Sequence, residues 1–359
     1  GCIILIKMKK ILLLRPKIGF GLGGAEFHAA KVAIKLLERG FKVGIVAHTI
    51  SFPEEILNKL EVFKVKIKGF GSVPKHLIFI YQARKVLSKL SNYHLISFFR
   101  YPYTSDLFIM CDPLFAFLIK QKNIFLAKFR LRYKILLKLE KEALNNAKKI
   151  ISLFSLGKEL IKEFYPENYS KTFVCHRGID FERFNPEFKN KKLVFRKEMG
   201  FSEKDFIILF VGYDIKRKGL NLLLKILPTL PERVKLLIAG VEGKSEDRII
   251  YLGKVKEPEK YYAMADLFVL PTLYDPGALA TLEALATGTP VIVTPYDGTS
   301  EFVKDGINGF VIERNEEALR SAILKAMNTS FDSQKIYKTI ENLTWDNYVE
   351  CLISQLGDL

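Results

Sequence analysis

From end to end the chain alternates short runs of Ile, Leu, Val and Phe with longer stretches in which apolar residues recur every three or four positions. Uninterrupted apolar runs fit strands covered on both faces, and the longer amphipathic stretches fit the helices that cover them. The pattern therefore predicts an α/β chain built on parallel sheets. In the first half, strands are expected at 11–14, 41–47, 62–67, 94–98, 149–153 and 172–175, with helices near 25–39, 75–90, 111–147 and 155–165. A polar, charge-rich stretch at 180–205 interrupts the alternation. It then restarts with strands expected at 206–212, 234–240, 249–253, 267–271, 290–294 and 309–312.

Two doubly wound, Rossmann-like domains facing a cleft follow from this, with boundaries expected at 1–185 and 186–335 and a helical segment at 336–359 that packs back on the first domain. A length of 359 residues agrees, since one hydrophobic core rarely grows that far. Met8 followed by KKILLLRP reads as a natural start, leaving residues 1–7 as an extension.

Charge changes the picture more than composition does. The formal charge is +17, yet residues 1–186 hold 33 Lys and Arg against 14 Asp and Glu, while the remainder holds 23 against 25. A field so one-sided points to a polyanionic partner or, more simply, to a solvated surface. Residues 120–149 concentrate it, with ten basic and two acidic side chains interleaved with Ile124, Phe125, Leu126, Phe129, Leu131, Tyr133, Ile135, Leu136 and Leu137. Such a segment suits an anionic membrane surface. Nucleic acid is not expected, because no recognised nucleic-acid module is present. No apolar run reaches the 18 to 20 or so residues that span a bilayer. The four cysteines, Cys2, Cys111, Cys175 and Cys351, show no paired spacing, so neither a disulfide framework nor a zinc site is expected and a reducing cytoplasm fits.

Three clusters could carry chemistry. Gly19-Phe-Gly21-Leu-Gly23-Gly24 follows the first strand and opens a helix, where bare amides at a positive helix end can meet a phosphate or sugar oxygen. A NAD site would also need an acid at the end of the second strand, and that strand ends Ala47-His48-Thr49. His28, one turn beyond the glycines, can point into the cleft or pack in the core. In the second half, Val211-Gly212 ends a strand and Lys216-Arg217-Lys218-Gly219 opens a helix. An Arg fork beside a Lys point charge there suits a diphosphate and stabilises the charge that develops as it leaves. Asp275 and Glu283, eight positions apart, flank the amides of Gly277, Ala278 and Leu279 at the start of a further helix, and two such acids can accept hydrogen bonds from sugar or ribose hydroxyls. Singly, each cluster is more often a tight turn, a solvated face or a helix cap.

Together they resemble the retaining GT-B glycosyltransferases of family 4, over nearly the whole chain. Gly21 to Gly24 match the glycine loop of that family, Arg217-Lys218-Gly219 its basic pair, and Asp275 to Glu283 its E-x7-E motif. Gly178-Ile179-Asp180 parallels its N-G-V-D, Gly298 to Glu301 its G-x-x-E, and Asp305 to Gly309 its D-G-x-N-G. The V-G-x-D-x-x-R-K-G stretch is similar to members acting on the bacterial lipopolysaccharide core.

The resemblance implies hexose transfer, with glucose from UDP the expected donor, to a lipopolysaccharide-core or other lipid-linked acceptor. It also implies a chain peripherally attached to the inner face of the plasma membrane through residues 120–149. Arg217 and Lys218 would hold the diphosphate and Glu283 the ribose, while the amides of Gly23, Gly24, Gly277 and Ala278, with Leu279, surround phosphates and sugar. Asp275 would reach the donor sugar, with an arm shorter than the Glu of the family. Asp106 and His28 compete for the place facing the anomeric centre, Asp106 leading. With no D-x-D triplet, no metal cofactor is expected. The alternative is a non-catalytic nucleotide-sugar or anionic-lipid binding protein of the same fold.

Overall fold

A computed structural model describes residues 3–4, 9–69, 71–121 and 130–357. The chain divides into two compact units. The first comprises residues 1–177 together with 345–359, and the second comprises residues 178–344. The divisions thus fall eight residues before and nine after the boundaries expected from the polar stretch and the last helices.

Among the described residues of the first unit nine strands form in chain order: β1 (Lys10–Leu14), β2 (Lys17–Gly19), β3 (Val43–Ala47), β4 (Thr49–Ser51), β5 (Glu61–Lys64), β6 (Tyr93–Ser97), β7 (Ser105–Ile109), β8 (Ala147–Ser152) and β9 (Thr172–Val174). Seven build one parallel sheet in the order β5-β3-β1-β6-β7-β8-β9, while β2 and β4 pair separately. The apolar run of β1 explains its central place. Ile11 to Leu14 are fully buried, each contributing about 2 kcal/mol on removal from water, and Leu12 and Leu14 pack with Val46, Phe79, Leu95 and Phe99.

β7 was not expected, because Ser105 and Asp106 give it a polar start in a buried strand. The single helix expected at 111–147 is instead two, Phe115–Gln121 and Leu131–Asn146. They are tied by the buried Glu140, whose carboxylate accepts from the amides of Phe115 (2.6 Å) and Ala116 (3.0 Å).

The second unit carries β10 (Phe206–Val211), β11 (Val234–Ala239), β12 (Ile249–Gly253), β13 (Leu267–Leu270), β14 (Val291–Val293) and β15 (Gly309–Val311). They form one parallel sheet in the order β12-β11-β10-β13-β14-β15. Residues 207–210, 267–270 and 291–293 are fully buried, as continuous apolar strands covered on both faces require. Both sheets are of the doubly wound α/β type, and the strands at each centre are those read from the apolar runs.

The last helix, Trp345–Gly357, belongs to the first unit. Trp345 and Tyr348 lie against His28, and Asp346 and Glu350 pair with Arg39 at 3.0 and 2.9 Å. The same helix carries Cys351, which forms a disulfide with Cys175 at the end of β9. This corrects the expectation of four unpaired cysteines. Spacing could not reveal a pair 176 residues apart, which only the return of the last helix brings together. The argument from cysteine spacing to a reducing compartment goes with it. Among the described residues no helix is long and apolar enough to cross a membrane.

A cross-link over so long a loop stabilises chiefly by restricting the unfolded chain, by about 2–5 kcal/mol. Calorimetry should therefore show the first unit melting several degrees lower under reductant. Cys351→Ser should reproduce that melting point and be insensitive to reductant.

Candidate functional site

Ligands of open α/β sheets bind beyond the carboxyl ends of the strands. In the second unit β10 ends at Val211, and the chain turns through Gly212 into a short helix, Ile215–Lys218, that carries both cations. Asp214 caps this helix, its carboxylate accepting from the Arg217 amide at 3.2 Å. The next helix, Leu220–Ile226, starts only because Gly219 takes a left-handed conformation (φ 86°) in which a Cβ would meet the carbonyl oxygen of Pro271 at 2.2 Å. Gly219 thus presses the cation-bearing turn against the loop that leaves β13.

That loop supplies Asp275, and the three side chains form one cluster. Lys218 Nζ donates to Asp275 Oδ2 at 2.9 Å, and Arg217 Nη1 lies 3.7 Å from the same oxygen. Arg217 also donates from Nη1 to the Tyr274 carbonyl (2.6 Å) and from Nε to Asp214 (3.2 Å), while its own carbonyl accepts from the Leu273 amide (2.7 Å). The side chains of Lys218, Arg217 and Asp275 are only 12%, 17% and 10% exposed, so their charges act with little screening. Arg217 and Lys218 are brought together as the sequence implied. Asp275 reaches them rather than standing free, its short arm folded onto Lys218.

The remaining second-unit positions follow along the loop and the helix Leu279–Ala286. The Gly277 amide donates to Asp275 Oδ1 at 3.4 Å, Ala278 is the buried cap, and Leu279 is the first helical residue. Glu283 lies one turn on, where its Oε2 accepts from the Tyr262 hydroxyl at 2.8 Å. Burial first, and then the Glu283 charge, hold that phenol well above its ordinary pKa, so it remains a donor and the carboxylate keeps a fixed direction.

In the first unit the structure corrects two assignments. His28, placed among the donor-binding candidates with a packed core position as the open alternative, takes the core position: it is buried among Phe98, Trp345 and Tyr348, with Nε2 hydrogen-bonded to Tyr348 Oη at 2.7 Å. Burial, and then the charges of Arg177 and Arg15, push its pKa well below the ordinary value, so it is a neutral core histidine. Gly23 and Gly24 do open the helix Gly24–Glu38, as the glycine pattern implied.

Asp106 is the second correction. It is the second residue of β7, about 10 Å of extended chain before the strand's carboxyl end, at the edge away from the ligand side. Its carboxylate is buried and fully engaged. It accepts from the Leu95 amide (2.7 Å) and Lys148 Nζ (2.8 Å), with His94 Nδ1 at 3.8 Å. Burial alone would raise its pKa, but these partners outweigh it and hold the acid at about 2.

The acid that does stand at the carboxyl edge of this sheet was missed. Asp112 follows β7 by three residues and pairs with Arg15, just beyond β1, whose Nη1 donates to Asp112 Oδ2 at 3.0 Å and to the Phe98 carbonyl at 2.6 Å. The charge of buried Arg15, overcoming the cost of burial, keeps Asp112 below the usual carboxylate range, and 38% of its side chain stays exposed. The signal was present: residues 107–111 are five apolar residues ended by Asp112-Pro113, a strand followed by a breaker.

Comparison with known proteins bears on the second unit most directly. Residues 191–342 match the family model for glycosyl transferases group 1. This segment belongs to the group 1 glycosyltransferases. Over 331 residues the chain is 22% identical to the lipopolysaccharide glucosyltransferase WaaG of Escherichia coli, covering 87% of this chain and 88% of that one. It is 28% identical over 222 residues to an uncharacterized glycosyltransferase of Methanocaldococcus jannaschii, covering 55% of this chain and 57% of the other, so that alignment spans little more than half of the relative. The crystal structure of WaaG superposes with a TM-score of 0.76 at 20% identity over 97% of this chain and 98% of that one. Anabaena HepE in complex with UDP and glucose gives 0.69 at 17% identity, over 98% and 100%. The fold is GT-B, and the group 1 segment contains Arg217, Lys218, Asp275 and Glu283.

The placement of Asp106 makes a separable prediction. Because its folded pKa lies below the unfolded value, its contribution to stability is present above about pH 4 and is lost as the pH falls through about 2. Asp106→Asn should cost about 2 kcal/mol in urea unfolding at pH 7, a difference that shrinks toward pH 2.

Proposed function

We propose that the chain is a retaining hexosyltransferase that takes a hexose, with UDP-glucose as the donor, and passes it to a hydroxyl of a lipopolysaccharide-core or other lipid-linked glycan. The observation that carries this reading is the Arg217–Lys218 pair at the carboxyl end of β10, inside the group 1 segment, largely buried and aimed at one point by Asp275 and the Tyr274 carbonyl. A diphosphate arriving there meets two unscreened cations and can exchange with the Asp275 carboxylate. The same cations stabilise the negative charge that grows on the leaving phosphate as the glycosidic bond breaks. Glu283, oriented by Tyr262, accepts from the ribose hydroxyls, and the Gly277 amide opens the helix beside the sugar. In the first unit Asp112, rather than Asp106, is the carboxylate we assign to the acceptor hydroxyl, because part of its side chain stays open at the carboxyl edge of the sheet. Nothing in this scheme calls for a metal ion. Support for the donor class comes from the GT-B fold shared with WaaG and with HepE, which is known with UDP-glucose bound.

The test is binding and turnover together. UDP-glucose should raise the melting temperature of the wild-type chain. Arg217→Ala combined with Lys218→Ala should abolish that shift and lower transfer by at least about a hundredfold. Retained transfer in the double variant would refute the site. Tight binding without turnover across donors and acceptors would leave the non-catalytic binding protein.

We further propose that the chain attaches peripherally to the anionic cytoplasmic leaflet through residues 120–149. Residues 122–129, with Lys122, Ile124, Phe125, Leu126, Lys128 and Phe129, lie outside the described residues. In the helix Leu131–Asn146, Leu136, Leu139, Ala143 and Leu144 face the core, so Leu136 is not available to lipid. Leu131, 73% exposed, Arg132, Lys134 and Lys138 form the outer face. Each basic side chain near an anionic surface adds about 1 kcal/mol. Cosedimentation with vesicles containing phosphatidylserine should be strong at physiological salt, and should fall when Lys128, Arg130, Arg132 and Lys134 are changed to Gln. Binding that is absent, or that survives the substitution, overturns the attachment.

A further inference from the structure

Asp297 is a fully buried acid beside the donor cluster that the scheme above leaves unused. It follows β14. Its backbone is laced into the loop of Asp275: the Asp275 amide donates to the Tyr296 carbonyl at 2.9 Å, and the Gly298 amide donates to the Asp275 carbonyl at 2.9 Å, with Asp275 and Asp297 opposed in a parallel bridge. Its carboxylate gathers two further elements. Oδ1 accepts from the amide (2.9 Å) and hydroxyl (2.6 Å) of Thr299, opening the turn Gly298–Phe302, and Oδ2 bonds the Thr281 hydroxyl at 3.0 Å on the helix that carries Glu283.

The charged surroundings are lopsided. Asp275 is the charged group acting on Asp297, and it is itself claimed by Lys218 at 2.9 Å and Arg217 at 3.7 Å. The direct side-chain partners of Asp297 are the hydroxyls of Thr281 and Thr299, which carry no charge. Two carboxylates so close in a dry site are tolerated as anions only while the cations of the first compensate them. A diphosphate settling on Lys218 and Arg217 takes over that compensation and adds negative charge of its own.

We infer that Asp297 is a positioning residue of the donor site that takes up a proton from solvent when the diphosphate of a nucleotide sugar binds Arg217 and Lys218, so that donor affinity is linked to pH through Asp275. Asp297 takes the proton rather than Asp275 because ammonium and guanidinium hold Asp275 ionised, whereas a neutral acid keeps its bonds to Thr281 and Thr299 by donating its new O–H to one of them. Only an O–H bond forms, and the proton comes from the buffer. The poise fits: burial first, and then the Asp275 charge, push the Asp297 pKa up to about 7 against the hydrogen bonds from the two threonines, so the residue is divided between its two forms near neutral pH.

The inference rests on the donor reading of Arg217 and Lys218, and calorimetry separates the two. UDP-, GDP- and ADP-glucose, whose diphosphates do not titrate between pH 6 and 8.5, are titrated into the full chain in buffers of different ionisation heat. The wild type should take up a fraction of a proton per donor bound and bind about five- to tenfold more weakly at pH 8.5 than at pH 6, since each unit of pKa shift is worth a factor of about ten. Asp297→Asn should bind with little pH dependence and no proton uptake. Thr281→Val, which removes one hydrogen bond to the anion, should move the fall in affinity to higher pH, and it serves if the Asn variant does not fold. Absence of proton uptake in the wild type, or an unchanged pH slope in Asp297→Asn, overturns the inference while the donor reading stands. Failure of all three sugars to bind at any pH overturns both.

Discussion

The second unit is organised around a carboxylate held almost out of water between two cations. Asp275 cannot be buried as an anion without Lys218 and Arg217, and the cations cannot be held at the sheet edge without it. Each would otherwise bear a desolvation cost of several kcal/mol. The backbone enforces the arrangement from both sides. Gly219 lets the cation-bearing turn approach Pro271 to within contact, and the Tyr296 and Gly298 hydrogen bonds clamp the loop of Asp275 to the segment that follows β14. Such a cluster is compact when empty and exchangeable when an anion arrives, because the incoming phosphate offers the cations what the carboxylate already supplies.

The first unit shows how a polar residue inside an apolar strand can mislead. Asp106 and Asp112 are six residues apart in one polar-apolar-polar stretch, and without knowing where β7 begins and ends the two look equivalent. The strand's direction separates them. The acid at its amino end is consumed by Lys148 and the Leu95 amide, and the acid past its carboxyl end keeps an exposed face beside Arg15. A similar ambiguity attached to His28. Helical spacing put it one turn past the glycine loop, but the residues that bury it, Trp345 and Tyr348, lie more than 300 positions away, and no local pattern could announce them.

What was legible follows a simple division. Continuous apolar strands identify themselves because both their faces are buried, and β1, β10, β11 and β13 stand close to where the runs of Ile, Leu, Val and Phe put them. Chemistry confined to a strand end and the helix it feeds was legible too, since Arg217 and Lys218 are neighbours placed by the short turn Ile215–Lys218 between Asp214 and Gly219. Contacts made by chain return were not. The Cys175–Cys351 disulfide, the cover over His28 and the opposition of Asp275 to Asp297 all join segments whose proximity depends on the whole sheet order. Edge and short strands such as β2 and β4, with half-buried faces and little apolar periodicity, were silent for the same reason.

The return of the last helix has one more consequence. The chain leaves the first unit after Arg177 and re-enters it at Trp345, and the two ends of the intervening stretch are paired with each other, the Ile179 amide donating to the Leu343 carbonyl at 2.9 Å. Two residues before the exit and six after the re-entry stand the cysteines of the disulfide. In chain order the second unit is therefore an insertion, its entrance and exit fastened together by a bond of its own, while the disulfide ties the two parts of the first unit. Whatever opens or unfolds within residues 178–344 leaves both parts of the first unit joined through the disulfide, because the covalent ring it closes runs through the whole of the second unit.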